Sequence, residues 1–371
     1  MYELGLGEQL EATGIQTRAV EYRTQFGQLI LSDPRGRNAG APWPQFSIHR
    51  GHLHKILLSA AQQELPQGNI ITGHRATGFT QLDNGRVRLI TQRVDGETVE
   101  FEGDFLIGAD GVHSAICHQM HPNASPLAFS GTMIWRGAIE REPYLDGQTM
   151  VIAGHHDSKV VIYPISEQAR RQGRSLINMT AELNLGKDAC YPKENWNREA
   201  NVSEFISSFE SWKFDFMDIP TTFKATNNLF VYPMVDRDPL PFWSQGNVTL
   251  LGDSAHPMYP IGANGASQAF LDVDALIKAI ENTNGNDMVS AFQSYENKRL
   301  PQTAAVIASN RAKGPEAVLQ LARERIKSPD DDVHALISQE EIDAITQGYQ
   351  KVAGFDLSTL KGRAANNARP S

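Results

Sequence analysis

Hydrophobic and polar positions alternate with a period of two from Ala19 to Ser32 (AVEYRTQFGQLILS), which predicts a β-hairpin turning at Gly27. The next segment, Ser32 to Pro44, is rich in Pro, Gly and Arg and reads as a loop. After it, HRGHLHKILLSAAQQEL spaces its apolar residues for a helix starting near Gly51. Short alternating pieces between Ile70 and Glu100, broken at Asp83-Asn84-Gly85 and Asp95-Gly96, predict a meander. It feeds DFLIGADGVHSAI (Asp104 to Ile116), the pattern of an apolar strand, a glycine turn and a helix start. From about Ser130 to Val235 the pieces TMIWRGAIE, TMVIAG, SKVVIYPIS and SLINMTAEL predict a second domain built on a sheet, with one helix from about Val202 to Lys213. NVTLLGDSAHPMYPIGANGASQAFLDVDALIKAI returns to strand, loop and helix, and DMVSAFQSYENKRLPQTAAVIASNRAKG continues as a long helix. The final KGRAANNARPS reads as a disordered tail.

This alternation is that of an α/β protein, and 371 residues suffice for about two interleaved domains. Lys+Arg number 34 against Asp+Glu 43, a net charge of -9, which argues against nucleic acid or an anionic membrane as the main partner and leaves small molecules. The cysteines, Cys117 and Cys190, belong to no C-x-x-C pair, so two buried free thiols are expected, with neither a disulfide nor a metal site. No apolar run approaches the ~18 residues of a membrane span and the acidic start lacks a basic leader, so a cytoplasmic protein is expected.

The stretch richest in chemistry runs from Thr249 to Phe270, TLLGDSAHPMYPIGANGASQAF. An apolar strand ending in Gly252-Asp253 puts a carboxylate at the C-terminal edge of a sheet, where α/β folds bind ligands and where an acid can hydrogen-bond sugar-type hydroxyls. Pro260, Gly262, Ala263, Asn264 and Gly265 shape a loop entering a helix whose positive N-terminus can face an electron-rich ring edge. His256 invites a general-base role, but a structural hydrogen bond is the expected one. Arg237, between two aspartates in VDRDP, is expected in a structural ion pair rather than as a clamp for a substrate carboxylate. Trp135, Tyr163, Met234 and Phe242 lie on or beside sheet segments and are candidates for lining an aromatic pocket.

LIGADGVHS, LLGDSAHPMYPIGANGASQAFLD and FSIHRGHLHKILL, in their order along the chain, resemble the DG motif, the GD motif with its flavin loop, and the arginine-bearing helix start of the class A FAD-dependent aromatic monooxygenases. Within that family the phenazine and salicylate enzymes are the most similar, and the similarity covers nearly the whole chain. The resemblance implies an FAD-binding Rossmann-like domain interleaved with a mixed β-sheet substrate domain. The expected division is 1–18, 46–128 and 245–330 for FAD, 19–45 and 129–244 for substrate, and 331–371 as a C-terminal helical segment and flexible tail. It also implies FAD as cofactor, NADH or NADPH as co-substrate, and O2 delivered through a C4a-hydroperoxyflavin to a small aromatic or N-heteroaromatic carboxylate, by a monomer or homodimer. Arg50, Asp110, Gly111, Gly252, Asp253, Pro260, Gly262, Ala263, Asn264 and Gly265 are carried over as FAD contacts. No residue is assigned as an obligatory catalytic acid or base, because the flavin is the oxidant.

In the family a strand, a G-x-G-x-x-G turn and a second strand precede these segments. The opening MYELGLGEQL does not supply them, since Gly5 and Gly7 lack both a preceding strand and the third glycine, and read as the cap of a helix end followed by another short helix. Weak FAD retention by the chain as written is therefore expected. The alternative function is a non-catalytic remnant binding a small molecule or a protein partner.

Overall fold

In the computed structural model, the described residues are 1–189, 198–283, 285 and 287–367. Cys190 therefore lies outside them, as do residues 368–371 of the tail. Residues 357–367, expected to be disordered in part, form the helix Leu357–Asn367.

The chain divides into two compact units, one of residues 1–67, 130–234 and 315–371, the other of residues 68–129 and 235–314. The first is built on an eight-stranded mixed sheet in the order Arg198–Glu199, Phe230–Asp236, Ala128–Arg141, Ser175–Asn184, Ser158–Pro164, Thr149–Gly154, Ala19–Arg23, Leu29–Pro34. The expected hairpin supplies its last two strands, with Gly27 at φ 90° in the turn. Its neighbour Thr149–Gly154 runs parallel to Ala19–Arg23 and buries every residue, as a strand covered on both faces must. One face carries Val20, Tyr22, Met150 and Ile152, packed under Val318, Leu319, Ala322 and Ile326 of the helical segment near the C-terminus. On the opposite side, Phe205 stacks on Trp135 and meets Phe209 and Phe223 edge-on.

The segment after Asn201 forms two 3-10 turns, Val202–Glu204 and Ile206–Phe209, in place of the expected helix to Lys213. Phe205, Phe209 and Trp212 are all driven under the sheet, and tertiary burial of aromatics overrides a marginal helical preference.

Four segments group differently from the expected division. Residues 1–18 and 46–67 belong to the unit of the large sheet, because Ile15–Thr17 pairs with Gln45–Ser47 and helix Gly7–Thr13 packs on helix Glu167–Arg171. Residues 235–244 join the other unit, and residues 315–330, expected with the FAD domain, join the unit of the large sheet.

A buried lysine ties the helical segment to the sheet. The Nζ of Lys159 donates to Glu182 at 2.9 Å and to Glu316, all three being at least nine-tenths buried. Burial works against its charge, yet the two carboxylates hold the ammonium above its ordinary pKa. Further along, Glu341 closes a capping box with Ser338 and pairs with Arg325 at 2.6 Å. The Arg325 hydrogen bond, with the Ser338 amide, lowers the Glu341 carboxyl to about 2 from 4.5. Because the folded value is the depressed one, this contribution is full above about pH 4.5 and is lost as pH falls through about 2. Protection factors of the amides in helix Gln339–Val352, corrected for intrinsic exchange at each pH, are expected to fall as pH drops across that window, and Glu341→Gln should remove the fall; an unchanged profile in the variant would count against the pairing.

The second unit holds a three-stranded sheet in the order Ser244–Gln245, Val248–Leu250, Leu106–Gly108, the meander His74–Gln81, Val87–Arg93, Thr98–Gly103, and the helices Gly265–Asn282 and Met288–Arg311. Its core gathers Phe79, Ile116, Trp243, Leu250, Leu276, Phe292 and Tyr295. No helix among the described residues is long and apolar enough to cross a membrane.

Candidate functional site

Val248, Thr249 and Leu250 are fully buried and pair in parallel with Leu106–Gly108, with Leu250 opposite Gly108. The turns that follow the two strands, Gly252-Asp253 and Asp110-Gly111, therefore emerge side by side at the carboxyl ends of adjacent parallel strands, the position where open α/β sheets take ligands. The turns are laced together: the Gly111 amide donates to Ser254 Oγ at 3.1 Å, and Ser254 Oγ lies 3.5 Å from Asp110. Gly252 sits at φ 64°, a backbone state that costs a residue with a Cβ roughly 1–2 kcal/mol.

Asp253 and Asp110 use their carboxylates differently. That of Asp253 is exposed and makes no hydrogen bond or ion pair with any described residue. That of Asp110 is engaged within the fold, taking the Ser114 hydroxyl at 2.5 Å and the Ala115 and Ile116 amides at 2.8 and 3.4 Å. Ser114 in turn caps helix Ala115–Met120 by accepting from the Cys117 amide at 2.8 Å. Ser114→Ala should cost about 1 kcal/mol through loss of the cap, read as a lowered denaturation midpoint; an unchanged midpoint would show that Asp110 alone suffices.

Behind the Gly252-Asp253 turn lies a buried ionic network. Asp272, on helix Gly265–Asn282 and 0% exposed, accepts from the Gly252 amide at 3.2 Å, from His256 Nε2 at 2.5 Å and from Arg299 Nε at 2.8 Å. Arg299 also donates to Gln268 Oε1 at 2.7 Å. His256 is 3% exposed and orients the turn, with no open face to meet a substrate.

The loop from Tyr259 to Asn264 enters helix Gly265–Asn282 through two left-handed residues, Gly262 at φ 69° and Ala263 at φ 55°. No side chain caps this helix, so its first-turn amides have no side-chain acceptor. The loop is tethered at its base, where Asn310 Nδ2 donates to the Tyr259 carbonyl at 3.1 Å. Burial, and then the neighbouring Asp236, push the Tyr259 phenol up to about 12. Asp236 is itself gripped by Arg311 at 2.7 and 2.9 Å, and Arg311 also reaches Asp238 at 2.7 Å.

Arg237 does not form the expected ion pair, because Arg311 takes both flanking aspartates. Its guanidinium donates instead to Cys117 Sγ at 2.8 Å and to the Val112 carbonyl at 3.5 Å. Cys117 is a buried free thiol, raised by burial against the opposing pull of Arg237.

The site fits a dinucleotide flavin by its own features. There is an unpartnered carboxylate for ribityl or ribose hydroxyls and a helix N-terminus without a side-chain cap. At Gly111 and Gly265 no protein atom lies within 4 Å of where a Cβ would stand, which leaves room for a ligand against the backbone. Arg50 opens helix Arg50–Glu64 in the other unit, exposed and without an ion pair among the described residues.

The four candidate pocket residues do not form one surface. Trp135 pairs in register with Ala181, and Tyr163 with Asn178. Ala181 and Asn178 are an odd number of residues apart, so the two aromatic side chains leave opposite faces of the sheet. Trp135 belongs to the aromatic core, 4% exposed against Phe205. Met234 is buried, and Phe242 meets His121 at a tilt, ring centroids 4.3 Å apart, in the second unit. Missing from the sequence reading is Arg136, whose Nη2 donates to the Tyr163 hydroxyl at 3.0 Å. The hint in the sequence is its place between Trp135 and Gly137, as the one charge in the apolar run of residues 133–139.

The profile of the FAD binding domain family matches residues 1–310. The chain is 40% identical over 313 residues to the phenazine 1,6-dicarboxylic acid hydroxylase of Lysobacter antibioticus, covering 84% of this chain and 76% of that protein. It is 28% identical over 319 residues to the 3-hydroxybenzoate 6-hydroxylase of Polaromonas naphthalenivorans, covering 84% and 74%. A salicylate hydroxylase solved with its substrate shares the fold at TM-score 0.71 and 20% identity, with 100% of this chain and 88% of that one aligned. The chain thus belongs to the FAD binding domain family and is an FAD-dependent aromatic monooxygenase.

Proposed function

We propose that this monooxygenase hydroxylates a planar aromatic or N-heteroaromatic carboxylate, with NADH or NADPH as reductant and O2 as the source of the inserted oxygen. The observation that carries the reading is the free Asp253 carboxylate beside the uncapped start of helix Gly265–Asn282. The acidic substrate class is supported by relatives whose names specify phenazine dicarboxylic acid and hydroxybenzoates.

When bound, FAD supplies the redox chemistry: reduction by the nicotinamide and activation of O2 for transfer to the ring. The protein's own residues bind and orient. Asp253 holds hydroxyl groups through charge-assisted hydrogen bonds. The helix dipole and first-turn amides favour negative charge at the loop from Pro260 to Gly265. Gly111 and Gly252 let the backbone come close, and Asp110, Ser114 and Ser254 lock the two turns together. Arg50 offers a positive charge to a phosphate. Where oxygen enters at the carbon bearing the carboxyl group, that group leaves as CO2. The working form is a cytoplasmic monomer or homodimer with no nucleic-acid or membrane partner, in keeping with the net charge of -9.

The test is NADH and NADPH oxidation by the FAD-loaded protein in the presence of phenazine carboxylates, salicylate and phenols without a carboxyl group. Stimulation by the acids is expected; stimulation by the uncharged phenols alone would overturn the carboxylate assignment.

A further inference from the structure

We infer that Arg136 is the anchor for the substrate carboxylate, an assignment that rests on the aromatic-acid reading above. The register of the large sheet places Arg136 opposite Thr180, and Ala138 opposite Asn178, which faces Tyr163. These five residues therefore share one face of three adjacent strands. Asn178 and Thr180 are buried and hydrogen-bonded to each other at 3.0 Å, so the face presents neutral polar groups beside the guanidinium.

Two cations stand on this face within the three strands. Lys159 is neutralised by Glu182 and Glu316. Arg136 has no counter-ion among the described residues, and its Nε is buried with no hydrogen-bond partner. Its one hydrogen bond among the described residues goes to the neutral Tyr163 hydroxyl at 3.0 Å. A half-buried guanidinium with an unmet N–H is costly to leave so, and a carboxylate is the group whose geometry matches its planar fork. The Tyr163 contact fixes the guanidinium plane, and the neighbouring carboxylates of Glu182 and Glu316 are already spent on Lys159, so they do not repel an incoming anion at full charge.

The experiment titrates FAD-loaded protein with phenazine carboxylate and with unsubstituted phenazine, following the flavin absorbance. Wild type is expected to prefer the acid. Arg136→Gln should weaken the acid at least about tenfold, leave the unsubstituted ring within about twofold, and keep FAD affinity unchanged. If Arg136→Gln does not retain FAD, Arg136→Lys decides by the same comparison, with a selective loss of about threefold or more expected because a point charge cannot reproduce the fork. A variant that keeps the wild-type preference for the acid overturns the anchor while leaving the aromatic-acid reading intact. A wild type that binds acid and unsubstituted ring equally sinks that reading, and the anchor falls with it.

Discussion

Asp253→Ala is expected to weaken FAD binding roughly ten- to a hundredfold. The carboxylate is exposed, unpaired among the described residues and held at the end of a buried parallel strand. Removing it disturbs nothing inside the fold and deletes one charge-assisted hydrogen bond of ~1.5–3 kcal/mol to the ligand. Asp253→Asn, which keeps an acceptor without the charge, should fall between. FAD fluorescence titrated with each protein measures the effect. Asp274→Ala is a suitable control, because Asp274 lies on the following helix and pairs only with Lys278 at 2.7 Å on the surface. Equal affinities for parent and Asp253→Ala would remove Asp253 from the site.

A larger loss of stability is expected from Asp272→Ala. Asp272 is the hub of the network behind the same turn, and truncating it leaves the Arg299 guanidinium, 3% exposed, with only the neutral oxygens of Gln268 and Gln302. Breaking one side of a buried pair costs about 3–5 kcal/mol, because the remaining charge stays desolvated. It also frees the Gly252 amide and His256 Nε2, so the turn that presents Asp253 should loosen and FAD affinity should drop along with stability. The double variant Asp272→Ala/Arg299→Met, which removes both charges, should recover much of the stability without restoring the turn. Guanidinium unfolding followed by circular dichroism, paired with FAD titration, separates the two effects. A loss below about 1 kcal/mol for Asp272→Ala would show that the network is not the support assigned to it.

Much of this was legible in the chain. Local pattern found the hairpin at Gly27, the meander, both strand-turn-glycine units and the long helix Met288–Arg311, since each is written in short-range periodicity and turn residues. The motifs around Asp110 and Asp253 pointed to the flavin family for the same reason: a nucleotide site made of backbone turns and one carboxylate is a local object. What a residue does with its charge was not legible. VDRDP suggested an ion pair for Arg237, whereas the aspartates on either side of it are taken by Arg311, about seventy positions away. Asp110 and Asp253 look alike in sequence, but only packing decides that one caps a helix and the other stays free.

The amino-acid order alone determined the strand-turn-helix units, the family and the cofactor, because these depend on residues close together in the chain. Tertiary structure alone decided which side chains share a face. Trp135 and Arg136 are neighbours in sequence, and the two-residue period of a strand sends one into the Phe205 core and the other onto the opposite face with Tyr163. What each side chain meets on its face is set by what the register of three strands brings alongside, a long-range pairing that no window of sequence contains.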